Sequence, residues 1–288
     1  MRWSRVLRGR IENGTCPLER IDKVVVFGGG SFGTAMAAVL ARQKAELHVI
    51  LLLRDPYTCL SINHDHTNSR YLEGYELPHN LKATTSISEA IAGAQYAVHA
   101  LPVQQTRTFL ESIKDVLPPD VPLISVSKGL ELGSGKMMSE IIPAVLGRKH
   151  PAVFLSGPSF AREVMDRRPT GIVAAAKDLR LAREAGAKPA TISGLSGLGD
   201  IMLTCYGSLS RNRAIGVKLG QGVPLEEILK SSKQVAEGVP TAGVVVGLGR
   251  RYKVSLPVLT AVAQVLNSSL RADQAVAEIM NLPQIEER

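Results

Sequence analysis

Cysteines, aromatic residues and long apolar runs are all scarce in this 288-residue chain. The three cysteines, Cys16, Cys59 and Cys205, stand far apart and form no Cys-x-x-Cys pair. That argues against a cysteine-built metal centre and fits a reducing compartment. No apolar run approaches the ~20 residues that a membrane-spanning helix needs. The longest candidate, Val49 to Leu53, reads as a core strand. Aromatic residues make up 4% of the chain and are not interleaved with a basic stripe, which argues against nucleic-acid binding. His64-Asp65-His66 has no partner cluster for a metal, and with Asn63, Thr67 and Asn68 around it reads as a polar loop.

The first residues also lack the apolar stretch of a signal peptide. They carry Arg2, Arg5, Arg8 and Arg10, then Glu12, Glu19 and Asp22. Residues 1–22 therefore read as a basic tail, and a soluble protein of the cytosol is expected. A plastid stroma is the alternative if the tail belongs to a targeting region. What remains is ordinary for a globular protein: 45% hydrophobic residues and a length sufficient for a sizeable core. The net charge of +8 favours anionic ligands through long-range attraction.

Residues 23–27 and 47–53 are short β-rich runs around a helical stretch, Thr34 to Gln43, whose small residues suit packing on a sheet. Further strand-like runs fall at Tyr96–Ala100, Leu123–Ser127, Val153–Leu155 and Gly171–Ala175, with helical patterns at Gln104–Val116 and Met137–Leu146. Alternating strands and helices predict an α/β fold with a doubly wound parallel sheet. Beyond Lys177 helical patterns dominate: Arg211–Gly220, Leu225–Ser231, Thr241–Arg251 and Pro257–Leu270. Pro257 suits a first helical turn, with Ser255 as its cap. The expected organisation is a Rossmann-type dinucleotide domain over 23–176 and an all-helical substrate domain over 177–288.

Gly28-x-Gly30-x-x-Gly33 sits between an apolar strand and a helix start, where a dinucleotide fingerprint must lie. Gly28 permits the tight turn, Gly30 lets the backbone approach a pyrophosphate, and Gly33 lets helix and strand pack closely. The helix N-terminus faces the anion. After the second strand, Asp55 would favour an unphosphorylated ribose and Arg54 a 2′-phosphate, so NAD and NADP both stay open. Lys128, in Ser127-Lys128-Gly129-Leu130-Glu131, follows a strand on the ligand-binding edge of the sheet. Its ammonium can bond a substrate oxygen or orient a nicotinamide; a solvated loop lysine is the plain alternative. Ser159 lies in Ser156-Gly157-Pro158-Ser159-Phe160-Ala161. A hydrolase elbow needs glycine where Ala161 stands, and no histidine follows His150, so a ligand-lining turn is the better reading. Ser210-Arg211-Asn212-Arg213 offers a helix cap and a guanidinium fork that matches phosphate, or a capped surface helix. Asp200, after Gly197-Leu198-Gly199, can meet a substrate hydroxyl or simply close a glycine loop.

In order, GGGSFGTA, SKGLE, SGPSFA, GLGD, SRNR and Gln234-Val235-Ala236-Glu237-Gly238 resemble NAD(P)-dependent glycerol-3-phosphate dehydrogenase, close to its bacterial and plant-plastid branch. The resemblance implies that Gly28, Gly30, Ser31, Phe32, Gly33, Arg54, Lys128, Ala161, Arg211, Val235 and Glu237 hold the dinucleotide. It implies that Lys128, Gly157, Ser159, Asp200, Ser210, Arg211 and Asn212 surround glycerol 3-phosphate or dihydroxyacetone phosphate. The implied reaction is hydride transfer between the nicotinamide and the carbon bearing the hydroxyl or keto oxygen, in the service of glycerolipid synthesis. A homodimer is compatible with it; a metal is not implied.

One stretch departs from the resemblance. The family carries a helix with a Lys-Asn pair, its lysine the proton donor and acceptor, before the glycine loop at Gly197. Here Lys177 to Gly186 runs almost directly into that loop. Neither Lys177 nor Lys188 stands in an apolar Lys-Asn helix, so no catalytic lysine is assigned. The helical domain is therefore expected to be truncated. The alternative is a non-catalytic dinucleotide-binding or interaction protein.

Overall fold

The computed structural model describes residues 21–157, 159–168, 194, 198–232 and 236–282. The sequence-predicted strand at Gly171–Ala175, the tail to residue 20, Lys177, Lys188, Gly197 and Val235 lie outside the described residues.

The first part is a six-stranded sheet in the order β5-β2-β1-β6-β7-β8. The strands are β1 (Lys23–Phe27), β2 (His48–Leu52), β5 (Leu81–Thr84), β6 (Tyr96–His99), β7 (Leu123–Ser125) and β8 (Ala152–Phe154). Every neighbouring pair is parallel. Counted along the chain within this sheet, the order is 3-2-1-4-5-6, the doubly wound dinucleotide-binding arrangement. The strand order reverses between β1 and β6, the kind of switch point at which doubly wound sheets bind their ligands.

Lys23-Val24-Val25-Val26-Phe27 reads as a continuous apolar run because both faces of the sheet are covered. Val24 and Val26 pack with α1 (Ser31–Gln43) through Ala35, Ala38 and Ala41. Val25 and Phe27 face the other way, toward Leu110 and Ile113 of α4 (Val103–Ile113) and Ile141 and Ile142 of α5 (Met138–Leu146). Each fully buried large side chain contributes about 1.5–3 kcal/mol relative to exposure.

Between β2 and β5 lie α2 (Pro56–His64) and an antiparallel hairpin, β3 (Thr67–Asn68) and β4 (Leu72–Glu76). The polar-loop reading of Asn63 and His64 is corrected here. Both belong to α2, and Asn63 exchanges hydrogen bonds with the Ala83 backbone on β5. α3 (Ile87–Ile91) precedes β6, and α6 (Ala161–Met165) follows β8 and packs on α1.

All described elements from residue 200 onward are helices: α7 (Asp200–Tyr206), α8 (Arg211–Gly220), α9 (Leu225–Ser231), α10 (Gly238–Arg251), α11 (Pro257–Leu266) and α12 (Ala272–Met280). Their buried cluster is small, with Ile215, Ile228 and Ala236 at its centre. Pro257 does open α11, but Ser255 is not its cap. Leu256 holds that position and provides no side-chain hydrogen bond.

Candidate functional site

The three fingerprint glycines answer to different constraints. Gly28 has φ +114°, and a Cβ on it would lie 2.8 Å from the Ala100 carbonyl oxygen. A Cβ on Gly33 would lie 2.0 Å from the Gly28 carbonyl oxygen. Both positions are closed by the protein itself. Gly30, the N-cap of α1, has ordinary extended angles, and a Cβ there would meet no protein atom within 4 Å. Its missing side chain leaves open space over the helix N-terminus, a cradle shaped for an anion approaching from outside. The residues therefore fit a dinucleotide's pyrophosphate.

The turn is fixed by a residue that sequence reasoning passed over. Asn68, buried on β3, donates from Nδ2 to the Gly29 carbonyl at 3.0 Å and to Thr34 Oγ1 at 2.8 Å. Ser31 donates to the Tyr71 carbonyl at 3.1 Å, and Phe32 packs partly buried on the α1 side of the core. At the end of β2, Asp55 caps α2. It accepts from the Tyr57 and Thr58 amides and from Thr58 Oγ1 at 2.5 Å, and Arg70 reaches it at 3.4 Å. These bonds, that from Thr58 first, hold its carboxyl below the usual range. Arg54, beside it, is exposed.

The second loop of the crevice follows β7. Lys128 donates to the Gly157 carbonyl at 2.8 Å and pairs with Asp200 Oδ1 at 3.1 Å. The two side chains are 26% and 15% exposed, so the pair sits in a recess rather than on an open face. Gly157, a few residues beyond β8, and Asp200, the first residue of α7, thus meet at one ammonium. Ser159 donates to the Gly157 carbonyl at 3.3 Å, and Ala161 opens α6 next to it.

Gly129, at φ +121°, carries the turn close to the helical region. A Cβ there would stand 3.4 Å from Thr241 Oγ1 and 3.7 Å from the Glu237 Cβ. The loop beyond is braced from α4. Gln104 bonds the Leu130 carbonyl and the Leu132 amide, each at 2.8 Å. Arg107 forks onto Glu131 at 2.8 and 2.7 Å. That fork raises the Arg107 pKa and lowers that of Glu131.

On the helical side, buried Ser210 caps α8 by accepting from the Arg213 amide at 3.2 Å. Arg211 keeps solvent contact over its surface, yet crowding around its guanidinium lowers its pKa, and Glu237 opposes that shift. Asn212 accepts from the Gly238 amide at 3.3 Å, which ties the start of α8 to the start of α10. A Cβ on Gly238 would be 2.6 Å from that same Asn212 oxygen.

The sequence-predicted residues therefore fall into two groups. Gly28, Gly30, Ser31, Phe32 and Gly33 form the turn under α1, with Arg54 beyond the neighbouring strand. Lys128, Gly157, Ser159, Ala161 and Asp200 form the recess at β7 and β8, and Ser210, Arg211, Asn212 and Glu237 adjoin it through Gly129. Val235 lies outside the described residues. Among those described, no group of three or more histidines, cysteines or acids is placed to hold a metal ion.

Comparison with known proteins points one way. Residues 23–182 match the family model described as NAD-dependent glycerol-3-phosphate dehydrogenase N-terminus, and residues 174–277 match its C-terminus. The chain is 45% identical to the chloroplastic glycerol-3-phosphate dehydrogenase [NAD(+)] of Oryza sativa subsp. japonica, covering 100% of this chain and 80% of that protein. It is 36% identical to glycerol-3-phosphate dehydrogenase [NAD(P)+] of Geobacter metallireducens, covering 90% of this chain and 97% of that one. The crystal structure of glycerol-3-phosphate dehydrogenase from Coxiella burnetii superposes with a TM-score of 0.84 at 25% identity, over 92% of this chain and 100% of that one. The rice alignment spans 353 positions against 288 residues here, so at least 65 positions (353 − 288) have no counterpart within this chain.

Proposed function

This chain belongs to the NAD-dependent glycerol-3-phosphate dehydrogenase family, and from that premise we propose that it moves a hydride between a nicotinamide dinucleotide and the C2 of glycerol 3-phosphate or dihydroxyacetone phosphate. The observation that carries the reading is the Lys128–Asp200 pair. It joins the turn after β7 to the first residue of α7, beside the phosphate-matching start of α8.

Each residue has a task in this reading. Gly30 leaves the space that the pyrophosphate enters, with Gly28 and Gly33 shaping the turn. Ser31, Phe32, Ala161, Val235 and Glu237 complete the cofactor's surroundings. The Asp55 carboxylate is engaged in capping α2, which leaves exposed Arg54 as the cation next to the ribose. The site therefore accepts NADP(H) as well as NAD(H). When bound, the nicotinamide supplies or takes the hydride. Lys128 orients the substrate oxygen, Asp200 bonds a hydroxyl, and Gly157 and Ser159 line the crevice. Arg211, with Ser210 and Asn212, receives phosphate through its planar fork.

Proton transfer is the weak step. Reducing a ketone leaves an alkoxide that needs a proton as the hydride arrives. The lysine that supplies it in the family has no counterpart assigned here. Lys128 brings an ammonium to the recess, but it is held by Gly157 and Asp200. Turnover is accordingly slow, while cofactor and substrate binding persist.

Dihydroxyacetone-phosphate-dependent oxidation of NADH and NADPH, with calorimetry of glycerol 3-phosphate in the presence of NAD, tests this. Saturable binding is expected, weakened about tenfold by Asp200→Asn through loss of a charged partner. NADH binding without any glycerol 3-phosphate binding would overturn the dehydrogenase reading and leave a dinucleotide-binding protein. For compartment, the chloroplastic relatives favour the plastid stroma over the cytosol, and organelle fractionation of the full-length protein decides between them.

A further inference from the structure

His99 closes β6 at the centre of the sheet and is fully buried. Its ring faces Phe109 of α4, centroids 6.2 Å apart, on the same side as Phe27. A polar ring in such a place is costly unless hydrogen-bonded. One bond is present: Nδ1 lies 2.9 Å from Ser127 Oγ. Nε2 has no hydrogen-bond partner among the described residues.

The direction of that bond follows from Ser127. Its single hydroxyl hydrogen goes to the Leu101 carbonyl, which only accepts, at 2.6 Å. The His99 carbonyl is a poorer target at 3.4 Å. Ser127 Oγ must then accept, so His99 is the neutral tautomer with hydrogen on Nδ1. Burial in apolar surroundings, which lowers its pKa to about 4, keeps that form in place at neutral pH.

The chain His99–Ser127–Leu101 ties together two loops of the crevice. Leu101 lies against Gly28, where an added Cβ would be 3.1 Å from Leu101 Cδ2. Ser127 immediately precedes Lys128, whose ammonium spans Gly157 and Asp200. The Val126 amide also donates to the His99 carbonyl at 2.9 Å, so backbone and side chain of one residue hold this turn.

We infer that His99 is a positioning residue: through Ser127 it fixes the turn bearing Lys128 against the end of β6, and so sets the ammonium in the crevice. The assignment rests on the proposed glycerol 3-phosphate site for its effect on binding, but its structural half stands apart from that site.

Two variants remove the link from either end. His99→Phe keeps a flat ring and loses the donor; Ser127→Ala loses the acceptor. Each is expected to weaken glycerol 3-phosphate binding about tenfold, the size of one hydrogen bond, with NADH affinity unchanged. The double variant should be no weaker than either single one, because both break one unit. His99→Asn, which returns an N–H near the Nδ1 position, should restore affinity. A merely space-filling histidine would give a wild-type His99→Phe, and independent roles would give additive losses; either result overturns the inference.

If the wild-type protein takes up no glycerol 3-phosphate, the proposed function fails and a second readout decides this point alone. Nitrogen NMR of His99 should show protonated Nδ1 and bare Nε2, with the Nδ1 signal shifted in Ser127→Ala. Hydrogen exchange should quicken in the peptide spanning residues 123–132 in His99→Phe. A protonated Nε2, or unchanged exchange there, sinks the positioning role.

Discussion

The sheet layer and the helices after it have similar proportions of apolar residues but bury them very differently. Val25, Val26, Phe27, Val49 and Leu51 are all 0% exposed, enclosed by helices on both faces. Beyond residue 198 Ile215 and Ile228 are buried, but many large apolar side chains stay open: Val258 is 49% exposed, Val276 61% and Met280 78%. Among the described residues α11 packs on α10 and α12, and α12 packs on α11 and α8, yet these side chains stay exposed. A doubly wound sheet closes on its own helices, whereas a helical bundle needs every member to cover the next. At least 65 aligned positions of the rice relative are absent from this chain. The sheet half is enclosed by its own helices, whereas the helices beyond residue 198 keep several large apolar side chains exposed.

The sharpest way to test that contrast is to refill the gap. Inserting the family's Lys-Asn segment between Asp178 and Gly186 should raise turnover about 10²–10⁴-fold, the usual worth of a positioned acid–base group. NADH affinity should move far less, because the residues proposed to hold its pyrophosphate, Gly28, Gly30 and Gly33, lie at the end of β1 and the start of α1. Equal, substantial turnover in both forms would show that the segment is dispensable and that Lys128, or another group, delivers the proton. A rise in NADH affinity matching that in turnover would show the two halves to be one coupled unit.

A smaller effect separates the two kinds of glycine within the sheet half. Gly33→Val places a branched side chain on the Gly28 carbonyl, 2.0 Å from where its Cβ would be. Overpacking of this sort costs about 1–3 kcal/mol or more, and the turn should lose both stability and cofactor. Gly30→Val meets no protein atom at its Cβ and has extended backbone angles. It should melt like the parent yet bind NADH weakly. Equal NADH affinity in parent and Gly30→Val would remove the pyrophosphate from that position.

How much of this the sequence revealed depends on whether the signal was local. β1 matches its predicted bounds, and β2, β6, β7 and β8 differ by one or two residues at their ends, because buried parallel strands read as apolar runs. β5 and the β3–β4 hairpin were missed. Leu81-Lys82-Ala83-Thr84 is short and interrupted by a lysine, and Leu72-Glu73-Gly74-Tyr75-Glu76 carries glycine and two acids. Asn68 looked like one polar loop residue among others, although it holds the glycine turn. His99 was absorbed into an apolar strand, although a buried polar ring always needs a partner. Lys128 and Asp200 are 72 positions apart, and nothing in their local patterns pairs them. The fold brings some of the motif residues together, Lys128 with Gly157 and Asp200, but such pairings are long-range and came only with the fold.

His99 also gives the sheet half a histidine-based pH dependence, which the helical half, with no histidine after His150, does not share. Its folded-state pKa of about 4 lies below the ordinary value of 6.5. The unfolded chain therefore takes up this proton first, and stability is full above 6.5 and lost as pH falls toward 4. Between about pH 7 and pH 5 the shift corresponds to about 2 kcal/mol. His66 and His150, both with pKa values lowered first by burial, act in the same direction, and Glu131, depressed by Arg107, responds at lower pH. Subtracting the pH profile of unfolding free energy, from urea melts of His99→Asn, isolates the histidine. Parallel pH profiles for the two proteins would contradict a buried neutral imidazole.

The smallest expected change is at the surface of α12, and it probes the open side of the comparison. Val276 and Met280 are one turn apart, so both fall on one face of the helix. Neither contributes much burial at 61% and 78% exposure, so replacing them costs little packing. Val276→Lys with Met280→Lys should shift stability by no more than about 0.5 kcal/mol, as surface changes do. Solubility should respond more, because contiguous exposed apolar surface drives association and two added charges oppose it. Light scattering against concentration, before and after the pair of substitutions, measures this. A loss of several kcal/mol would mean that the face is covered in the folded protein. An unchanged association would place the sticky surface elsewhere, with exposed Ile201, Met202 and Tyr206 on α7 the next side chains to exchange.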